Sequence, residues 1–356
     1  MPWKKRFIRT AAFFDGHIDR LKFRLFKQLG MNKPLQIVPY RTYGTIENFH
    51  IRGRVLADKS LPKSDIGDSG WKNLVNMYRR FESDEVPGAV VQLTIGDTSY
   101  ETLSDNEGYF HFDKLSAAPL AADQLYYSFP LATATATADE PVSASAEVLI
   151  PPANAEYGII SDIDDTIIQT GATSLIEMGK TVLLANARTR LPFEGVSAFY
   201  SALQKGNTGT RSNPFFYVSS SPWNLYDLIT DFMDINDIPQ GPLMLRDFGI
   251  RSDTFVNKDY LGHKFKAIQH VLETYPHLPF ILIGDSGEED PVIYAEVVKQ
   301  FPGRIKAIYI REISHPRKII IARETAASLL AHQVEMILTP DSLDAMQHAR
   351  QNGFFP

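Results

Sequence analysis

The sequence predicts a two-part chain: a small all-β unit, most simply a sandwich, followed by an α/β unit built on a doubly wound parallel sheet. Three observations lead there. At 356 residues the chain exceeds what one hydrophobic core usually serves. Short alternating runs dominate up to Pro151-Pro152. Beyond that dipeptide, continuous apolar runs alternate with helix-length amphipathic segments, the pattern of strands covered on both faces.

In the first unit the runs HIRGRVLA, AVVQLTI, SYETLSD, GYFHFDKL, YYSFPL and ASAEVLI are separated by turn chemistry such as Pro87-Gly88 and Asn106-Glu107-Gly108. Residues 71–82 (WKNLVNMYRRFE) read as a helical insertion. The Ala/Thr/Ser-rich stretch LATATATADEPVSASAE fits an edge strand or a loop. In the second unit YGIISDID, PFFYVSSS, PFILIGDS and IKAIYIRE read as parallel strands, and the first three end in polar clusters. Active residues gather at that end of such sheets. Residues 313–356 suggest one strand and one helix, with no role for the tail NGFFP. The expected division is 1–34, 35–152 and 153–356.

Composition narrows the chemistry. Charged residues at 22% and hydrophobic residues at 44% are ordinary for a globular protein. The absence of cysteine excludes disulfides, thiolate metal sites and a cysteine nucleophile. With no secretory signal and no long apolar run, the chain reads as cytoplasmic. The net charge of −6 hides an asymmetry, because residues 1–33 carry nine Lys/Arg against Asp15 and Asp19. Within residues 4–29, Phe14, Ile18, Leu21, Leu25 and Leu29 form one helical stripe flanked by Arg20, Lys22, Arg24 and Lys27. Such a helix either lies on an anionic membrane surface, making the protein peripheral there, or docks on the protein's own body. The acidic remainder offers no basic track for nucleic acid.

Four strand-end or helix-start clusters carry chemistry. Asp162 and Asp164, two positions apart, face the same way on a strand, and their repulsion is relieved by a divalent cation such as Mg²⁺. The serines 219–221 close a strand before a helix expected near Pro222, where hydroxyls and N–H groups hold a phosphate oxygen or simply cap the helix. Lys264, in Gly262-His263-Lys264, can neutralise an aspartate and a phosphate together, with Lys266 competing for the role. Finally, Gly284-Asp285 begins G-D-x-x-x-x-D, bringing a second acid round the loop towards Asp285.

In this order the four clusters resemble the haloacid dehalogenase superfamily over roughly residues 155–312. The resemblance implies Asp162 as nucleophile and Asp164 as general acid and base. It also implies Ser219 and Ser220 as phosphate ligands and Lys264 as the group that orients the phosphoryl. Asp162, the main-chain carbonyl of Asp164, and Asp285 would hold Mg²⁺, supported by Thr166 and by Asp290, with Glu289 as the alternative acid. The wording SDIDDTI, YVSSSPWNLY, GHK and LIGDSGEEDPVIY is similar to a bacterial and fungal phosphatidate phosphatase family whose fungal member associates with actin patches. That similarity implies hydrolysis of phosphatidate to diacylglycerol. The alternatives are a phosphoprotein or a soluble phosphomonoester as substrate, and more distantly a non-catalytic interaction protein. The β-rich unit resembles immunoglobulin-like or transthyretin-like modules through its D-x-x-G turn before an aromatic strand. In the segment 174–196, Lys180, Arg188 and Arg190 are candidates for a headgroup contact.

Overall fold

Alternating and continuous apolar runs become different kinds of sheet in the computed structural model, which describes residues 35–57, 85–117, 123–134, 142–168, 192–246, 260–313 and 316–356. The amphipathic stripe at 14–29, the helical insertion at 71–82 and the basic residues at 180–190 lie outside the described residues.

The alternating runs form eight strands: β1 (Leu35–Tyr40), β2 (Thr42–Tyr43), β3 (Phe49–Ala57), β4 (Val90–Ile95), β5 (Thr98–Leu103), β6 (Tyr109–Leu115), β7 (Tyr126–Ala134) and β8 (Val142–Leu149). They make a three-stranded sheet, β1-β3-β6, and a five-stranded sheet, β2-β8-β7-β4-β5. All pairings are antiparallel except β2 with β8. One core joins both sheets: Ile51 and Val55 of β3, Phe110 and Phe112 of β6, Val91 and Leu93 of β4, and Phe129 and Leu131 of β7. These are alternate residues, so period-two patterning places them on a single face. Asp105 Oδ1 accepts the N–H groups of Glu107 and Tyr109, each at 2.9 Å, and Gly108 takes the positive φ of 77° that this D-x-x-G turn requires. The described parts of the Ala/Thr/Ser-rich stretch, the end of β7 and most of β8, form no edge: β7 pairs with β4 and β8, and β8 pairs with β7 and β2, while residues 135–141 lie outside the described residues.

The continuous runs form a wholly parallel sheet of β9 (Gly158–Ser161), β10 (Phe215–Pro222), β11 (Leu243–Arg246), β12 (Phe280–Asp285), β13 (Ile305–Arg311) and β14 (Glu335–Thr339). Its order is β11-β10-β9-β12-β13-β14, which reverses direction at β9. Helices α1 (Val196–Lys205), α2 (Tyr226–Ile235) and α6 (Ser342–Gln351) supply the core on one face. Helices α3 (Tyr260–Thr274), α4 (Asp290–Gln300) and α5 (Pro316–Leu329) cover the other. Adjacent residues of β9 divide between the faces, Ile159 with the first group and Ile160 with the second. This two-sided burial explains why these strands lack polar alternation. Residues 313–356 hold a helix, a strand and a second helix. The tail is part of the core, with Phe354 and Phe355 buried and the Tyr157 hydroxyl donating to the Phe354 carbonyl at 2.7 Å.

Aromatic side chains join the smaller sheets to the parallel sheet. The Tyr43 hydroxyl lies 2.7 Å from His270 Nδ1, and the Tyr275 hydroxyl donates to the Gly44 carbonyl at 3.0 Å. Tyr40 packs on Trp223 at 4.6 Å between ring centroids. Arg52 stands over the same indole at 4.0 Å.

Candidate active site

Strand register builds the site. Ser161 of β9 pairs with Ile283 of β12, and the Asp162 N–H continues the ladder to the Ile283 carbonyl at 2.9 Å. Asp162 thus leaves β9 beside the end of β12, at the reversal point where open α/β sheets bind ligands. The strand stops at Ser161, so the meeting of Asp162 and Asp164 is not the work of strand geometry alone. Asp165 adopts φ 51°, a left-handed conformation that aspartate tolerates, and turns the chain tightly. Asp165 N–H then reaches the Ile168 carbonyl, and the Ile167 N–H reaches that of Ile163, each at 2.9 Å. Ile163 is buried away from the acids in the core.

Lys264 organises the first half of the site. Its ammonium donates to Asp162 Oδ1 at 2.8 Å and to Asp290 Oδ1 at 2.7 Å, and pairs with Glu288 Oε2 at 2.8 Å. It is buried, whereas Lys266 is exposed on the same helix. Helix α3 begins at Tyr260, so Lys264 projects from its second turn rather than from its first residue. Thr166 Oγ1 donates to the other Asp162 oxygen at 3.3 Å.

Asp290 is wholly buried at the start of α4, and its Oδ2 accepts the Asp285 N–H at 3.3 Å. Gly284 makes this approach possible, since a Cβ there would fall 2.5 Å from Asp290 Oδ2. Asp285 Oδ1 accepts the N–H groups of Gly287 at 2.5 Å and Glu288 at 3.0 Å. Glu289, by contrast, is exposed and faces Lys318 at 3.8 Å.

The serines form the second half. Strand β10 runs through all of them to Pro222, and α2 starts only at Tyr226 after a short 3₁₀ turn, so no helix N-terminus stands at Ser219. Ser219 and Ser221, two apart, both reach Asp164 Oδ2, at 3.0 and 3.2 Å. Half-buried Ser220 occupies the alternate position in the strand.

Electrostatics reveal what the site lacks. Oxygens of Asp162, Glu288 and Asp290 lie within 4.8 Å of one another, a grouping that can hold a cation, and here the cation among them is Lys264. Asp164 Oδ1 and Asp285 Oδ2 are buried without a hydrogen-bond partner. Burial pushes the Asp162 carboxyl well up; Lys264 pulls it down and Asp290, Glu288 and Asp285 push it further up. Asp285 is likewise driven up by burial and then by Asp290. Asp164 rises to about 6, through burial first and Glu288 second, opposed by the serine hydroxyls and Lys264. Such a cluster is short of positive charge.

Glu288, on the lysine, takes part without a sequence-based role, and Ser221 serves Asp164 rather than a phosphate oxygen. Its place was detectable as the i+2 partner of Ser219 within the expected strand PFFYVSSS.

Residues 157–312 match the family model described as phosphatidate phosphatase APP1, catalytic domain. The phosphatidate phosphatase APP1 of Saccharomyces cerevisiae is 33% identical over 182 residues, covering 49% of this chain and 30% of that protein. An uncharacterized protein of Schizosaccharomyces pombe is 28% identical over 236 residues, covering 64% of this chain and 37% of its own length. The chain therefore spans about a third of the curated relatives it matches. A solved carbohydrate acetylesterase from Xanthomonas citri aligns over 84% of this chain and 74% of its own, at 10% identity and a TM-score of 0.27. The strand ends and helices that assemble the site all fall inside 157–312, the segment that matches the phosphatidate phosphatase APP1 catalytic-domain model.

Proposed function

We propose that this chain is a Mg²⁺-dependent phosphatidate phosphatase of the haloacid dehalogenase type, acting through an aspartyl-phosphate. The observation that carries the reading is the division of labour between Asp162 and Asp164. One is held by a lysine and a threonine, the other by two serines, at the reversal point of the sheet.

In the first step an Asp162 carboxylate oxygen attacks phosphorus. The bond from phosphorus to the leaving alcohol breaks, its electron pair stays on the alcohol oxygen, and Asp164 gives that oxygen a proton. In the second step a water oxygen attacks phosphorus and its proton passes to Asp164. The bond from phosphorus to Asp162 breaks, releasing phosphate and regenerating both acids. A carboxyl near 6 suits a group that donates and then accepts a proton close to neutrality. Lys264 and Ser219 would hold the phosphoryl oxygens, with Ser220 a further candidate, and Asp290 and Thr166 would fix Lys264 and Asp162.

The donor set fits Mg²⁺: Asp162, the Asp164 carbonyl and Asp285 offer oxygen alone, and Asp285 Oδ2 is buried without a partner. When bound, the ion supplies positive charge that offsets charge developing on the phosphoryl oxygens. The smaller sheets are read as a separate unit, 35–152, of immunoglobulin- or transthyretin-like type beside a catalytic unit at 153–356. Cytoplasmic residence at an anionic membrane surface through residues 4–29 completes the reading. No helix among the described residues is long and apolar enough to cross a membrane.

The test is phosphate release from phosphatidate in mixed micelles, with and without Mg²⁺, beside a soluble phosphomonoester and an Asp162→Asn control. Mg²⁺-dependent turnover of phosphatidate that the control abolishes supports the proposal. Turnover of the soluble ester or a phosphoprotein alone keeps the chemistry and replaces the substrate, and no turnover of any ester sinks the catalytic reading.

A further inference from the structure

We infer that Ser221 is a positioning residue for the proton donor: its hydroxyl holds Asp164 Oδ2, which leaves Oδ1 as the oxygen presented to the leaving group. The inference rests on the phosphatase reading above and adds a residue to it.

A serine hydroxyl has one hydrogen to donate. Ser219 Oγ accepts the Ser221 N–H at 2.9 Å and directs its own hydrogen to Asp164 Oδ2 at 3.0 Å. If Ser219 turns that hydrogen to a bound phosphoryl oxygen, Asp164 loses it. Ser221 Oγ, 3.2 Å from the same carboxylate oxygen, is then the side-chain hydroxyl left to hold Asp164. Two serines therefore divide two tasks that one cannot perform at once.

Burial makes the arrangement directional. Ser219, Ser221 and Asp164 are all buried, so water does not compete for the bond. Both hydroxyls lie on Oδ2, while Oδ1 is buried with no partner among the described residues. An oxygen engaged by two donors is poorly placed to carry a proton as well, and the free oxygen is the one open to a reacting group. The strand supplies the alignment: β10 stays extended through Pro222, so residues 219 and 221 share a face, while its register against β11 shifts between Val218 and Pro222.

A positioning role differs from a packing role in its dependence on the leaving group. An alkyl alcohol, as in phosphatidate, must be protonated as it leaves; a nitrophenolate leaves without help. The experiment compares kcat/KM, which covers the steps up to alcohol departure, for an alkyl phosphate ester and p-nitrophenyl phosphate. It uses the full chain as wild type, Ser221→Ala and Ser221→Thr, with thermal melting to establish folding.

Ser221→Ala is expected to lower kcat/KM on the alkyl ester roughly tenfold more than on the aryl ester, in line with part of a general-acid contribution. Ser221→Thr, which keeps a hydroxyl, is expected to return the ratio towards wild type. Equal losses on both esters, or a threonine variant whose ratio matches alanine, would overturn the inference. A wild-type protein that cleaves neither ester refutes the phosphatase reading itself, an outcome separate from either result with Ser221.

Discussion

Among the described residues of the two smaller sheets, each buried polar side chain has its partner. Ser104 Oγ donates to the Val86 carbonyl at 2.6 Å and accepts the Ala89 N–H at 2.8 Å, Thr133 donates to the Val90 carbonyl at 2.9 Å, and Arg54 is held by Glu85 and the Glu107 carbonyl, both at 2.7 Å. At the ends of β9 and β12 the balance is different. Asp162, Asp164, Asp285 and Asp290 are buried together, and two of their oxygens find nothing to bond. Burial of polar atoms for stability tends towards full satisfaction, because each orphan costs about 1–3 kcal/mol. Burial that leaves orphans beside a lysine, on the axis of a sheet's reversal, marks a place shaped for something that arrives later.

The largest expected effect tests the site. Asp162→Asn should reduce turnover by about four orders of magnitude, equivalent to about 5 kcal/mol of transition-state free energy. Its melting temperature should stay level or rise, because one charge leaves a crowded group while Lys264 keeps Asp290 and Glu288. A marked fall in melting temperature would show that Asp162 is chiefly a structural counter-ion and would erase the contrast between the regions.

Phe129→Ala tests the other side. Phe129 is buried between the smaller sheets and stacks on Phe49 at 5.1 Å, so truncation should cost about 3–5 kcal/mol in denaturant unfolding. Molecules that remain folded should turn over normally. A drop in their kcat instead would mean that the smaller sheets set the geometry of the site.

The smallest effect is a pH dependence at the junction. His50, packed edge-on to Tyr43 at 5.6 Å, has its pKa lowered to about 4 by burial first and Arg52 next, with His270 also opposing its charge. Asp113 opposes this shift and His111 adds to it. The unfolded chain binds a proton near 6.5, so between those values it holds more protons than the folded form. His50 therefore costs nothing above about pH 6.5, and stability falls by about 2–3 kcal/mol as pH drops towards 4. Comparing thermal melts of wild type and His50→Gln at pH 7 and 4.5 isolates this contribution; identical losses would place the acid sensitivity elsewhere.

Much of this molecule was readable in one dimension. The change from alternating to continuous apolar runs at Pro151-Pro152 marks the shift from one-sided to two-sided strands, and the acids and serines at strand ends are visible because a buried apolar strand has no other reason to stop in charge. The choice between Lys264 and Lys266 was not visible, since both lie on one helix and only packing buries one and exposes the other. Neither was Glu288, whose role depends on how the loop after Asp285 folds back onto Lys264. The interior place of β7 and the burial of Phe354 and Phe355 also waited on tertiary structure. The sequence by itself determined the period of each segment and the order of the chemical groups, because these follow from local side-chain spacing. Which groups share a hydrogen, which oxygens stay unpaired and which strand becomes an edge were decided by contacts between residues far apart in the chain, which no local pattern encodes.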